Sequence, residues 1–255
     1  MVAESFQKQS ALALLGGKMN PFCEEFEHSW AETSGSTPVG PLLRVWDPWS
    51  GSQPAKSGRM QARSPRKPLD LRESRKESLA IHADYKIWEP TPFISFTSSI
   101  EGLERLISKR HWPESTARTL TVVNPNARLA KGLPIVEMKS ELEYYNIPDR
   151  YGCSYNYYRD EYLCLWEITP EEVVQHWNWD ELCENPRWYE DEIQPAFNQH
   201  NCHLLGRKPN HSAFNMSMLH DALPSVAKTV EMESPRMETP RMETPEMKMP
   251  VLEDA

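Results

Sequence analysis

The chain has 255 residues and a formal net charge of −9, from 37 acidic and 28 basic side chains. That balance argues against a nucleic-acid-binding surface, which needs a basic footprint against phosphate, and no run of about 18 apolar residues is present to cross a membrane. A hydrophobic fraction of 39% with 22 prolines predicts one folded domain that carries tails.

Residues 1–40 read as a mostly irregular arm, with a short helix near 7–15. The apolar patch "ALALLGG" at 11–17 is short for a signal-peptide core, and only Lys8 precedes it against Glu4. An intracellular protein is expected, with secretion left open. Cys23, Cys153, Cys164, Cys183 and Cys202 form no CxxC pair and read as reduced thiols.

The domain is expected over residues 41–205. "LLRVW" at 42–46 is a strand interrupted by Arg44, and "DPWSGSQPAKSG" after it is a loop. Residues 53–77 hold eight Lys or Arg against three acidic residues, and read as a basic loop, either solvated or facing a nucleic acid or an acidic partner. "TPFISFT" at 91–97 alternates as a strand does. Ser98, three residues before Glu101, is the expected cap of a helix at 99–110 whose apolar face holds Ile100, Leu103, Leu106 and Ile107.

"LTVVN" at 120–124 is a strand ended by "PNA". "LPIVEM" at 133–138 is another apolar run, and "SELEYYNI" after it a helical turn or two. "EYLCLWEI" at 161–168 has the strongest β composition in the chain. Thr169 with Pro170 and Glu172 forms a capping box, after which "VVQHWNW" continues as helix or strand. Residues 186–200 read as helix on Trp188, Ile193 and Phe197, while Trp166, Trp177 and Trp179 join Trp188 as packing residues. Strands and helices alternate without a regular βαβ rhythm, so the fold class is α+β. Residues 206–255, with their "RMETP" repeats, are expected to be a disordered tail. Ser234, Thr239 and Thr244 each precede proline there and are candidates for proline-directed phosphorylation.

Three features carry chemistry. An arginine inside an apolar strand needs a partner, which marks Arg44. Ser95 and Thr97 place hydroxyls along a strand that feeds a helix, and Glu161 opens a long apolar strand. His200, Cys202, His203 and His211 match no zinc spacing, so no metal is expected.

The order Arg, then Ser-x-Thr, then Glu resembles the ADP-ribosyltransferase fold, in its cholera-toxin and pertussis-toxin branch. "LLRVWDPWSG", "PFISFTSSIEGL" and "DEYLCLWEITPEEVVQHW" are the segments that carry the likeness, with Arg44, Ser95 and Glu161 on the signature positions. Phe96 departs from the usual Thr. The chain is also similar to uncharacterised fungal domains of the heat-labile-enterotoxin-A type.

The resemblance implies a split, mixed β core with flanking helices and an NAD crevice between its halves. It implies NAD as the substrate, Glu161 as the catalytic carboxylate, and Arg44, Ser95 and Thr97 at the cofactor. His82 and Phe93, or Phe96 or a nearby Tyr, are placed near NAD on the same grounds. The implied reaction is ADP-ribosyl transfer to an unknown protein acceptor, or NAD glycohydrolysis. Arg159 stands where arginine-modifying members carry Glu or Gln, and a cation there repels an arginine acceptor. The alternative is a catalytically inactive module on this fold that binds a protein partner.

Overall fold

A computed structural model describes residues 6–17, 20–32, 38–109, 116–149, 152 and 154–206. The repeats, the three Ser/Thr-Pro sites, His211 and Cys153 lie outside these. The fold is α+β, built on a six-stranded sheet with helices against it. Its strands are β1 (Leu42–Trp46), β3 (Phe93–Thr97), β4 (Thr119–Val123), β5 (Ile135–Glu137), β6 (Glu161–Leu165) and β8 (Val173–Asn178), in the order β5-β6-β3-β1-β4-β8. A separate two-stranded ribbon pairs β2 (Met60–Gln61) with β7 (Glu167–Ile168).

Among the described residues every pairing is antiparallel, which corrects the expectation of a mixed sheet. Strands that are neighbours in the sheet run in opposite directions, while the chain crosses β1 on its way from β3 to β4 and crosses β1, β3 and β6 on its way from β4 to β5.

The sheet has a seam. β1 and β3 meet at a single register pair, Leu43 opposite Thr97, whereas β3 pairs with β6 from Phe93–Leu165 to Thr97–Glu161. β1 likewise pairs along its whole length with β4. Past the Leu43 pair the two half-sheets part, and Arg44 is the first residue on the parted side.

β3, β5 and β6 are covered on both faces. Phe93, Val136, Leu163 and Leu165 point into one cluster with Trp30, Leu79 and Trp166. Ile94, Phe96, Ile135, Tyr162 and Cys164 point into another with Met60 and Ile168. Two-sided burial explains why these strands read as nearly continuous apolar runs. On the other half, Leu43, Leu120 and Val122 pack against Leu103 of α4 (Ile100–Lys109) and against Trp179 and Trp188, whose rings meet edge-on at 5.4 Å.

Several expectations are refined. The arm is part of the core: α1 (Lys8–Leu14) and the segment after α2 (Glu24–Glu27) place Phe6, Leu15 and Trp30 in the main cluster. The basic run is not a loop throughout, because α3 (Arg72–Ala83) begins within it. Three of its cations meet buried carboxylates. Arg75 and Glu25 are completely buried and 2.7 Å apart, Arg59 meets Glu167 at 2.6 Å, and Arg72 meets Glu24 at 2.9 Å.

"PNA" starts α5 (Pro125–Ala130), capped by the Asn124 side chain accepting from the Asn126 N–H at 2.9 Å. α6 (Met138–Tyr144) follows β5 directly. The strand at 161–168 is broken at Trp166, whose φ of 59° is left-handed. The break lets the Trp166 N–H donate to Pro92 and its carbonyl accept from Ala62, both at 2.7 Å, before β7 turns to pair with β2.

The Thr169–Glu172 capping box is formed, over a single 3₁₀ turn, and the chain then continues as strand β8. α7 (Trp179–Leu182) and α8 (Gln194–Leu204) close the domain, with a π-helical turn at Tyr189–Ile193 leading into α8. Among the described residues no helix is long and apolar enough to cross a membrane, and Cys23, Cys164, Cys183 and Cys202 are free thiols.

Candidate functional site

β3 and β6 are buried at every position except one each, Ser95 and Glu161. These strands are adjacent in the middle of the sheet, and Arg44 lies on β1 across the seam. Its guanidinium spans the opening: Nη1 donates to the Ser95 carbonyl at 3.0 Å and Nη2 to the Gly51 carbonyl at 2.9 Å. Three residues that are 51 and 66 positions apart in sequence therefore share one crevice, floored by the seam.

A chain of hydrogen bonds runs into the crevice. His82, on α3 over the same face of β3, has Nε2 2.6 Å from the Ser95 hydroxyl and Nδ1 2.8 Å from the Thr91 hydroxyl. The Ser95 hydroxyl in turn bonds the Glu161 carboxylate. An ionised carboxylate only accepts, so Ser95 donates to it and must accept from His82 Nε2–H. Nδ1 then accepts from Thr91. With Glu161 ionised, the direction of every proton in the chain follows from the acid at its end.

Burial sets the protonation states. It is the main cause lowering His82 to about 3, with the nearby Arg44 and Arg63 charges adding to it, so the imidazole is neutral. Burial raises Glu161 to about 7, against the opposing pull of the Ser95 hydrogen bond and of Arg44 and Arg105. Both residues nonetheless keep some exposed surface.

Arg105, on α4, is the second cation near Glu161. Its Nη2 donates to the Tyr157 carbonyl at 3.3 Å and its guanidinium lies 5.1 Å from the Tyr157 ring centre. It thereby ties down the 3₁₀ turn Tyr155–Tyr158 that leads to Glu161. Arg159 points outward, its side chain 70% exposed and only loosely paired with Asp160 at 3.6 Å.

Two sequence-marked residues support the crevice rather than line it. Thr97 is 2% exposed and its hydroxyl accepts from the Ser99 N–H at 3.3 Å, bracing the turn into α4. Phe93 is 3% exposed and packs edge-on against Trp30 and His82, so it steadies the imidazole and offers no face to a ligand. Phe96, on the opposite face of β3, is likewise core.

The helix cap is Ser99, not Ser98. Its hydroxyl accepts from the Gly102 N–H at 2.9 Å, so α4 starts one residue later than the Ser98–Glu101 spacing implies. The Ser99 hydroxyl also donates to Asp160 at 3.1 Å, and this contact between the segments leading out of β3 and into β6 decides the register.

Sequence reasoning passed over Thr91 and Arg105. Thr91 sits at the start of the "TPFIS" run, where a hydroxyl before proline reads only as turn chemistry. Arg105 follows Leu103 on an amphipathic helix and reads as an outer-face charge. Neither carries a local signal of its role. Of the His/Cys group, His200 accepts from the Asn124 amide at 2.9 Å, as a tie between α8 and the start of α5. Among the described residues no cluster of three or more His, Cys, Asp or Glu is arranged to hold a metal.

Comparison with curated proteins and with solved structures finds no match. A family model described as a domain of unknown function, DUF7587, matches residues 40–182, which contain Arg44, His82, Ser95 and Glu161. The match covers more than half of the chain, and the protein belongs to the DUF7587 family.

Proposed function

We propose that this protein cleaves the bond between nicotinamide and ribose in NAD, passing ADP-ribose to an acceptor or to water. The observation that carries the reading is the joining of Arg44, Ser95 and Glu161 in one crevice, where two otherwise buried strands open only at Ser95 and Glu161.

Nicotinamide leaves with the electron pair of the C1′–N bond, which neutralises its pyridinium nitrogen. The ribose carbon is left with oxocarbenium character, as in glycoside cleavage. The Glu161 carboxylate is fixed in the crevice and stabilises that positive charge, or holds a ribose hydroxyl. The acceptor or water then bonds to C1′ and releases a proton. Arg44 is oriented by the Ser95 and Gly51 carbonyls, which fixes its positive charge beside the crevice where phosphate or ribose oxygens would lie. His82 is neutral and occupied at both nitrogens, so its part is to hold Ser95, and through it Glu161, in place.

Arg159 at the rim disfavours a guanidinium acceptor and favours water or a neutral or acidic one. The same residue motivates the second reading, a partner-binding module without turnover.

Incubation with NAD labelled in the adenylate part tests the proposal. Release of nicotinamide, with or without labelled protein, and its loss in Glu161→Gln with the fold retained, are expected. No cleavage and no NAD-induced rise in Tm would overturn it and leave the binding module.

A further inference from the structure

Seven serines and threonines of the chain precede a proline: Thr37, Ser64, Thr91, Thr169, Ser234, Thr239 and Thr244. Ser64 alone among them has a cation at the third position after it, in the run Ser64-Pro65-Arg66-Lys67. Proline beside the acceptor suits a protein kinase that asks for no backbone N–H there. A cation at the third position suits an acidic pocket on that kinase, because charge patterns of this kind separate one substrate from another.

The structure sets Ser64 apart as well. The Thr91 hydroxyl is engaged by His82 and the Thr169 hydroxyl by Glu172, and both residues are enclosed. Ser64 is partly exposed, and among the described residues its hydroxyl makes no hydrogen bond. It opens a surface turn that the Lys67 N–H closes on the Ser64 carbonyl at 3.3 Å, with Pro65 in the position whose φ it matches. The turn is pinned from below: the Ser64 N–H donates to the Thr91 carbonyl at 3.0 Å, and the Trp166 indole to the Lys67 carbonyl at 2.9 Å.

Three cations stand around that hydroxyl in the chain. Among the described residues neither Arg63 nor Arg66 forms an ion pair. Arg63 rests on the Trp88 carbonyl and ring, and Arg66 lies 5.7 Å from the centre of the Phe6 ring. Lys67 meets Glu77 at 3.7 Å, and that carboxylate is 67% exposed.

We infer that Ser64 is the phosphoacceptor of a proline-directed protein kinase, and that Arg63 and Arg66 close on the phosphate. ATP is the co-substrate. The Ser64 oxygen bonds to the γ-phosphorus, the bond from that phosphorus to the bridging oxygen breaks, ADP leaves with its electron pair, and the hydroxyl proton passes to the kinase's carboxylate. The new group brings a charge of about −1.5 to −2 and three acceptor oxygens among cations that lack a carboxylate of their own. It stands one backbone hydrogen bond from Thr91, the residue that holds Nδ1 of His82. The inference makes no use of the NAD reading.

Treatment of the full chain with a cyclin-dependent kinase and ATP labelled in the γ-phosphoryl group, with sites mapped by mass spectrometry, tests it. Label is expected on Ser64. Ser64→Ala should remove it, and Lys67→Gln should slow it about tenfold, the worth of one charged contact. Label that spares Ser64, or an equal Ser64 rate in Lys67→Gln, overturns the acceptor site. A chain with Thr37, Ser234, Thr239 and Thr244 changed to Ala then carries the phosphate on Ser64, and its Tm should rise by about 2–4 °C on phosphorylation. Arg63→Gln combined with Arg66→Gln should cancel that rise while Ser64 is still labelled. An unchanged or lowered Tm overturns the closing of the two arginines on the phosphate.

Discussion

The Ser95 hydroxyl stands 2.6 Å from Nε2 of His82, a bond that joins strand β3 to helix α3. Replacing His82 by Ala removes the group that points Ser95 at Glu161. Nicotinamide release from NAD should fall about 10- to 100-fold, the scale of an ångström of misplacement. Thr91→Val, nearly isosteric, leaves Nδ1 of His82 without its donor and should cost about 1–3 kcal/mol of stability in a denaturant titration, with a smaller loss of activity.

The acidity of Glu161 gives two linked pH dependences. The charged form is needed at the ribose, so kcat/KM for NAD should rise with pH through about 7 and then level. Stability moves the other way. The folded state raises this carboxyl from 4.5 to about 7 and so holds its proton where the unfolded chain has lost it. Between those values the folded state binds more protons, and stability contributed by this group falls as pH rises. Glu161→Gln should therefore be inactive yet more stable than the wild type above pH 7, by up to about 3 kcal/mol, and the gain should vanish near pH 4. Paired thermal melts at the two pH values measure it.

Gly102→Ala offers a test of the turn that carries β3 into α4. In an exposed helix this change stabilises by about 1 kcal/mol. Here the added Cβ would lie 2.4 Å from the Thr97 hydroxyl oxygen and 2.8 Å from that of Ser99. Both hydroxyls are engaged, so the expected result is destabilisation of about 1–3 kcal/mol by urea titration.

Arg128 is completely buried and fully used: it donates to the carbonyls of Pro134, Leu165 and Glu167 and to the Glu172 carboxylate. Arg128→Met would leave Glu172 as a buried charge without its cation. A loss of about 3–5 kcal/mol is expected in the same measurement.

The strands and the order of the site residues could be read from the sequence because both are local. Apolar runs at 42–46, 93–97 and 161–165 are short, bounded by turn residues and interrupted by a polar group that is out of place. What could not be read is the partnership between distant segments. Arg75, which pairs with Glu25 of the N-terminal segment, sits inside a run that reads as a solvated loop, because a charge gives no sign in sequence of the carboxylate it will meet. The break at Trp166 is invisible for the same reason: a tryptophan in a strand looks like strand until a second ribbon claims its backbone. Ser98 and Ser99 compete as caps with nearly equal local merit, and the contact of Ser99 with Asp160 settles it from outside the helix.

The participation of the N-terminal segment in the core changes what counts as the autonomous unit. Cutting the chain back to the family match at 40–182 would remove Phe6, Leu15 and Trp30, all nearly or wholly inaccessible to solvent. It would also take Glu25 from the fully enclosed Arg75, and the indole donor from Glu141. Such a fragment would keep every residue of the crevice and lose the wall behind α3, the helix that presents His82. The excised piece should be open and prone to self-association, so the heritable module and the foldable one have different ends.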